Sequence, residues 1–431
     1  MLLVVMLFGI ATALLVYGMV DTSSLVLRRD QDTAAALAQA KQALIGRAAS
    51  DANRPGSLPC PDTDDDGSAD LYAGTECPPY SGGPIPTIYI GRLPWRTLGL
   101  PDLRDAYGER LWYAVLREFA RNPTCAPSCP INSDTKGNIT VYQDSAASAI
   151  TTQAVAVIFA SGAALETQNR DPAATALCPT TGTTIARSLC AANYLDATGG
   201  ADNAQAGGAG PFITAQSSAT FNDRLLVITT AELMPPVEQR VARELRTILQ
   251  NYKAKTACAC TNLGLTAGCY PWADLSNGYS DADPYNVGDG RNRGRIPVWG
   301  AAPHNWGAWL DPAVYPSCPP STYVPTLPSW FDNNNWRLVV YYSAGRDFLG
   351  PGACTTCVDP TLTVGGVAGK EVVILMPGPL LAAPPRAPVP LDNSTYWQYY
   401  FEDGENQDFA NDVYVTPTST AYTRDRIFTI P

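Results

Sequence analysis

An aspartate-rich segment between Leu58 and Asp70 has the residue types and the spacing of a calcium-binding loop. Its sequence is LPCPDTDDDGSAD. Counted from Asp62 as the first position of the loop, Gly67 is the sixth, and Asp64, Asp66 and Asp70 are the third, fifth and ninth. Ca²⁺ takes about six to eight oxygen ligands, and alternate residues of a tight turn point inward together. The twelfth position is Ala73 and not the usual glutamate, so Glu76 or a backbone carbonyl would have to complete the set. We expect calcium as a cofactor here, with a solvated acidic turn as the alternative.

The chain also carries an internal repeat, and the aspartate-rich segment is one of the motifs that recur. A looser copy, CYPWADLSNGYSDAD, loses the odd spacing of its acids, so a second ion at Asp274, Asn277, Asp281 and Asp283 is less expected. IGRLPWRTLG (90–99) returns as RGRIPVWGA (293–301), and ATFNDRLLVIT (219–229) returns as AYTRDRIFTIP (421–431). Because several motifs recur in the same order, the sequence predicts two related domains, each a helix followed by antiparallel strands.

Twelve cysteines lie six in each half of the chain, and an even count favours disulfide bonds in an oxidising compartment. Proximity in sequence predicts four bridges, Cys60–Cys77, Cys125–Cys129, Cys178–Cys190 and Cys354–Cys357. It leaves open the pairing of Cys258, Cys260, Cys269 and Cys318. The alternative is zinc binding, with Cys258 and Cys260 as one half-site and Cys354 and Cys357 as the other. The single histidine, His304, is near neither pair in sequence, so disulfides are favoured.

The composition argues against a nucleic-acid partner and against catalysis. The net charge is −11 and the isoelectric point is about 4.6, so a phosphate backbone would be repelled. His304 is the one candidate for a histidine general base, and neither a phosphate-binding loop nor a dinucleotide fingerprint is present. We therefore expect a protein that is not an enzyme.

Three aromatic segments combine tryptophan and tyrosine with amide and acidic side chains. They are HNWGAW, PSWFDNNNW and STYWQYYFEDGENQDF. Flat rings that cover sugar faces, beside amides that bond to hydroxyls, are typical of carbohydrate-binding surfaces. Aromatic residues of a core have the same composition, so the sequence leaves both interpretations open.

The first twenty residues, MLLVVMLFGIATALLVYGMV, carry no charge, and a helix of about that length spans a bilayer. We predict a retained transmembrane helix over 1–20, in preference to a cleaved signal peptide, and an amphipathic extension over 21–52. Two domains follow, over 53–234 and 235–431. The expected fold class is α+β and disulfide-rich, with a long N-terminal helix followed by two tandem helix-plus-antiparallel-sheet headpieces.

The segment between Ala34 and Val115 supports a family assignment. Its motifs ALAQAKQALIGRAA, LPCPDTDDDGSAD, GRLPWRTLG and ERLWYAV resemble those of pilin-like proteins in Gram-negative bacteria, within the type IV pilin and type II secretion pseudopilin superfamily. If Met1 is the mature start, Val5 stands where the superfamily usually has a glutamate that pairs with the neighbouring subunit. A chain of double size without that glutamate is expected at the filament tip.

The resemblance implies a minor subunit of a type IV pilus or type II secretion filament, acting in assembly, tip capping or adhesion. Expected partners are other pilin-like subunits through the N-terminal helix, the inner membrane before assembly, and a surface glycan or secreted substrate. The expected localisation is single-pass in the inner membrane with periplasmic headpieces, then in a periplasmic or extracellular filament. The alternative is a membrane-anchored, exported carbohydrate-binding or adhesive protein outside any filament.

Overall fold

The computed structural model describes two compact units. The described residues are 2–71, 77, 87–120, 130–179, 181–204, 210–255, 268, 270, 271, 273, 292–296, 327–345, 348, 361–379, 401, 404–407, 411–416 and 425–431, with side chains from Ser24 onwards. Unit 1 comprises residues 1–48, 57–123 and 137–230. Unit 2 comprises residues 49–56, 124–136 and 231–431. The domain limits expected from the sequence remain a prediction.

Unit 1 contains helix α1 (Leu2–Ser50), apart from its last two residues, and a six-stranded sheet. The sheet has the order β1-β2-β4-β3-β9, and β10 pairs with β4. Strand β3 pairs with β9 in parallel, and the other pairs of the sheet are antiparallel. Two short antiparallel ribbons, β5–β6 and β7–β8, lie outside it. The strands are β1 (Ile88–Arg92), β2 (Trp112–Leu116), β3 (Ile139–Gln143), β4 (Ser145–Ala160), β5 (Thr175–Cys178), β6 (Thr183–Ala186), β7 (Ala197–Thr198), β8 (Ala201–Asp202), β9 (Phe212–Thr214) and β10 (Arg224–Thr229).

Unit 2 contains helix α2 (Thr230–Lys255), apart from its first residue, and two short helices, α3 (Ser329–Asn333) and α4 (Trp336–Val339). Its main sheet has the order β11-β12-β15-β17, and a second sheet has the order β14-β13-β16. The β13–β16 pair is parallel. The strands are β11 (Arg293–Arg295), β12 (Tyr341–Ala344), β13 (Leu362–Val364), β14 (Val367–Lys370), β15 (Val372–Met376), β16 (Val413–Tyr414) and β17 (Arg426–Ile430).

The strand orders of the two units agree with the internal repeat predicted from the sequence. The β1-β2-β4-β10 arrangement of unit 1 is matched by β11-β12-β15-β17 of unit 2, and each unit adds one parallel strand. A hydrogen bond recurs as well, because the hydroxyl of Tyr113 donates to the carbonyl of Pro59, and that of Tyr342 donates to the carbonyl of Pro271. The two units therefore share a structural plan as well as sequence motifs.

The described part of α1 is amphipathic. Its buried apolar residues recur at helical spacing along one face and include Leu37, Ala40, Leu44 and Ala48. Small alanines in this stripe allow neighbouring elements to approach closely. Upstream of Thr33, every residue from 24 to 32 is exposed, so α1 continues towards its N-terminus beyond the residues that it buries.

The expected fold class, α+β with a long N-terminal helix followed by two tandem helix-plus-antiparallel-sheet headpieces, is wrong. The described structure is mixed and rich in strands, and both units contain a parallel pair. The 24–50 part of α1 is not a long apolar helix, because charged residues such as Arg28, Arg29 and Asp30 interrupt it.

The expected localisation, single-pass in the inner membrane with periplasmic headpieces, is also wrong. Among the helices of the described residues, none has the length and apolar character needed to cross a membrane. The prediction rested on an uncharged run at the start of the chain, and the described continuation of α1 is polar.

Candidate functional site

The aspartate-rich loop is an ordered turn attached to the end of β1. Asp62 and Arg92 exchange two backbone hydrogen bonds, from the amide of Asp62 to the carbonyl of Arg92 (2.9 Å) and in the opposite direction (2.6 Å). The amide of Ala69 donates to Oγ1 of Thr97 (2.8 Å), so the far end of the loop is held by the segment after β1. The motifs LPCPDTDDDGSAD and GRLPWRTLG, which are separate in sequence, are therefore in contact.

Three of the four predicted calcium ligands converge. Carboxylate oxygens of Asp62, Asp64 and Asp70 all lie within 4.8 Å of one another, close enough to contact one divalent cation. Asp66 is outside this group. Its Oδ1 accepts the amide of Ser68 (2.6 Å), and that hydrogen bond lowers the pKa of Asp66. The three remaining carboxylates fit a hard cation, although the full set of oxygens that Ca²⁺ prefers needs further ligands.

Asp62 is the buried centre of the loop. Its Oδ1 accepts the amides of Asp65 (2.7 Å) and Asp64 (3.2 Å), and its Oδ2 accepts the amide of Gly67 (2.7 Å). Burial raises the pKa of Asp62 to about 6, and the charges of Asp65 and Asp70 act in the same direction. The amide hydrogen bonds act in the opposite direction, so Asp62 is ionised at neutral pH and able to attract a cation.

Asp65, the remaining acid of the loop, is neutralised by arginine. Nη1 of Arg110 lies 3.0 Å from Oδ1 of Asp65 and also donates to its carbonyl oxygen (2.8 Å). Nε of Arg110 in turn contacts Oδ1 of Asp102 (2.9 Å). These ion pairs remove Asp65 from the set of acids that a cation would balance, and they raise the pKa of Arg110 further.

Gly67 is required by a close approach. Its φ is +89°, and a Cβ atom at this position would lie 2.5 Å from the indole of Trp95. Both features exclude a larger side chain without movement of the loop or the ring. The glycine that suggested a calcium loop thus also serves to pack the loop against Trp95.

Two of the predicted disulfides are present, Cys60–Cys77 and Cys178–Cys190. The first joins the start of the aspartate-rich loop to a residue beyond it, and the second joins β5 to the segment after β6. The other cysteines, Cys125, Cys129, Cys258, Cys260, Cys269, Cys318, Cys354 and Cys357, lie outside the described residues. Their pairing, and the zinc alternative, stay predictions.

The aromatic segment PSWFDNNNW is a core element. Trp330, Phe331 and Trp336 are buried, and Asn334 is buried with them, where its Oδ1 accepts the amide of Ile131 (3.0 Å). The interpretation of this segment as a sugar-binding surface is therefore wrong. His304, the segment HNWGAW, residues 394–400 of the third aromatic segment and the looser acidic copy lie outside the described residues.

Sequence reasoning missed a polar contact at the start of the last strand that recurs in both units, which we term the Asn–Asp clamp. In unit 1, Nδ2 of Asn203 donates to Oδ2 of Asp223 (2.9 Å). In unit 2, Nδ2 of Asn406 donates to Oδ2 of Asp425 (3.0 Å). Each aspartate directly precedes the last strand of its main sheet. The recurrence of Asp223 as Asp425 in the repeated motif was the one signal available.

No protein-family model, curated protein or solved structure matches this chain. The site comprises three converging carboxylates on a loop held by a disulfide and by backbone pairing with β1. This arrangement suits ion binding and rigidity, and backbone amides and arginines hold its acids in place.

Proposed function

We propose that this chain is a minor subunit of a type IV pilus or type II secretion filament, acting in assembly, tip capping or adhesion without turnover. The observation that carries the proposal is the exposed part of α1. Over residues 24–32 every position is exposed, and three consecutive aliphatic residues are among them, Leu25 (54%), Val26 (56%) and Leu27 (62%).

An exposed aliphatic cluster on a projecting helix favours a protein partner. Successive residues of an α-helix point about 100° apart, so these three side chains cover more than half of its circumference. Full burial of each would contribute about 1.5–3 kcal/mol. A helix from a neighbouring subunit could cover this surface, and the flanking charges of Arg28, Arg29 and Asp30 would help to set the register.

Two further observations support the proposal. The disulfides Cys60–Cys77 and Cys178–Cys190 are typical of an exported protein. The motifs that resemble those of pilin-like proteins form one structural unit, in which the aspartate-rich loop is held by Trp95 and Thr97. Because these motifs contact one another, a change in one of them would disturb the packing of the others.

The test is incorporation of variants into filaments. Cells that produce the full chain with Val26→Asp are compared with cells that produce Leu177→Asp, where Leu177 is an equally exposed aliphatic residue (67%) on β5, away from α1. Filaments are sheared, purified and quantified by mass spectrometry. We expect the wild-type chain and Leu177→Asp in the filaments and a strong loss of Val26→Asp. Equal incorporation of both variants, or absence of the wild-type chain, contradicts the proposal.

We also propose that the aspartate-rich loop binds Ca²⁺ as a structural ion, through Asp62, Asp64 and Asp70. What supports this is the convergence of their oxygens and the burial of Asp62 among them. The ion would offset the repulsion between the three carboxylates and fix the segment next to Cys60–Cys77. Asp66 would not be a ligand.

A further inference from the structure

The two Asn–Asp clamps perform the same task in the two units. In unit 1, Nδ2 of Asn203 also donates to the carbonyl of Ile213 (2.9 Å), and its Oδ1 accepts the amide of Ile213 (2.8 Å). In unit 2, Asn406 makes the same pair of hydrogen bonds with Val415 (3.2 and 3.0 Å). Each asparagine acts as a short strand partner, and each aspartate fixes the amide group that does so.

In unit 1 the clamp holds strand β9. Ile213 is the middle residue of β9, which pairs in parallel with β3 through Tyr142. Asn203, Ile213 and Asp223 are all buried, so the contact is shielded from water. Release of Asn203 from Asp223 would therefore loosen β9 from one side while β3 still held the other.

Asp223 has fewer hydrogen-bond donors than a buried carboxylate needs. Its Oδ2 accepts from Asn203 and from the amide of Asp196 (2.8 Å), but its buried Oδ1 has no hydrogen-bond partner among the described residues. Asp196 is better supplied, because its carboxylate accepts the amide of Asn222 (2.8 Å) and Nε2 of Gln168 (2.7 Å). Each oxygen of Asp196 therefore has one donor, whereas both donors of Asp223 meet the same oxygen, and burial raises the pKa of Asp196 as well.

The charged groups that face Asp223 act in opposite directions. Asp196 raises its pKa and Arg170 lowers it, while Arg170 itself is paired with Glu109 (3.2 Å). Burial has the largest influence on this carboxyl. The net effect raises the pKa of Asp223 to about 8, although Arg170 and the hydrogen bonds from Asn203 and from the amide of Asp196 lower it. Asp223 therefore keeps its proton at neutral pH, which removes the cost of a second buried charge beside Asp196.

We propose that the Asn203–Asp223 contact is a pH-operated latch on β9, closed while Asp223 carries its proton and opened when that proton leaves. Ionised Asp223 would place a second negative charge, with donors on only one of its two oxygens, next to Asp196 in a buried site. Local opening of residues 196–203 and 222–223 relieves this by admitting water. Opening then releases one proton, so its equilibrium constant rises about tenfold per pH unit until the pH reaches the pKa of Asp223.

Hydrogen exchange of the full chain tests the latch directly, because the amide of Ile213 is itself bonded to Asn203. Exchange is followed by mass spectrometry from pH 6 to pH 9 and corrected for the intrinsic pH dependence of exchange. We expect protection of β9 to fall about tenfold per unit between pH 6 and pH 8 and then to level off. Protection that stays constant over this range overturns the proposal.

Two variants separate the latch from general effects of pH. Asp223→Asn should give β9 a flat profile, whereas Asp425→Asn, the matched change in the clamp of unit 2, should leave the profile of β9 unchanged. A pH dependence in Asp223→Asn equal to that of the wild type overturns the proposal. If circular dichroism at pH 6 shows that Asp223→Asn does not fold, Asp196→Asn replaces it. Removal of that neighbouring charge should move the end of the transition to lower pH, and an unmoved transition contradicts the latch.

Discussion

Replacement of Asp62 by asparagine should remove most of the stabilisation by calcium that we propose for this chain. In the loop, Asp62 presents both carboxylate oxygens to amides, and the single side-chain oxygen of an asparagine could still accept the amides of Asp64 and Asp65. The NH₂ group of that asparagine would then face the buried amide of Gly67, and two donors would meet. An unsatisfied buried donor costs about 1–3 kcal/mol, which is the expected loss without calcium.

The calcium-dependent part of the effect is separate and adds to this loss. A ligand present at about 100 times its dissociation constant stabilises the folded state by about 2.7 kcal/mol. Because Asp62 is one of three converging carboxylates, its loss should remove most of this increment. Urea unfolding of the chain with calcium and with a chelator measures both quantities.

Asp66→Asn is the matched control within the same loop. Asp66 is outside the converging group, and its contact with the amide of Ser68 can be kept by an asparagine oxygen. We expect little change in stability and a full calcium response. The reasoning is refuted if wild-type unfolding is the same with calcium and chelator, or if both variants lose the response equally.

Three further predictions concern stability. Gly67→Ala should destabilise the chain by about 2–4 kcal/mol in urea unfolding, and Gly108→Ala, which has a similar φ of +84° but open space, should cost less, because only the first meets Trp95. Asn406→Ala should cost about 1–3 kcal/mol, with increased proteolysis confined to unit 2, and proteolysis spread equally over both units would contradict it. The stability of unit 1 should fall by up to about 2.7 kcal/mol from pH 6 to pH 8, because the folded-state pKa of Asp223 lies above its value of 3.8 in the unfolded chain, and Asp223→Asn should remove this fall.

Features that depend on residue order or short spacing could be predicted from the sequence. The repeat follows from the order of motifs, and the strand orders of the two units agree with it. The bridges Cys60–Cys77 and Cys178–Cys190 close short loops, which makes proximity a good guide. The convergence of Asp62, Asp64 and Asp70 follows from their spacing on a tight turn, although the spacing could not show that Asp66 binds the amide of Ser68 instead.

Features that depend on tertiary contacts could not be predicted. The clamp residues Asn203 and Asp223 lie on separate polar loops, and no periodicity joins them. Helix α2 begins at Thr230 and continues through Pro235 and Pro236, although proline usually disfavours the interior of a helix. The burial of Trp330 and Trp336 also depends on the fold, because aromatic composition is the same in a core and on a binding surface.

The central claim, that this chain is a minor filament subunit, is tested most directly by its position and copy number in intact filaments. Sheared filaments are labelled with gold-conjugated antibody against unit 2 and examined by electron microscopy, and copies per filament are counted by quantitative mass spectrometry. The account predicts label at one end of each filament and a copy number far below that of the main subunit. Label along the whole length, or filaments without label from cells that produce the chain, would contradict it.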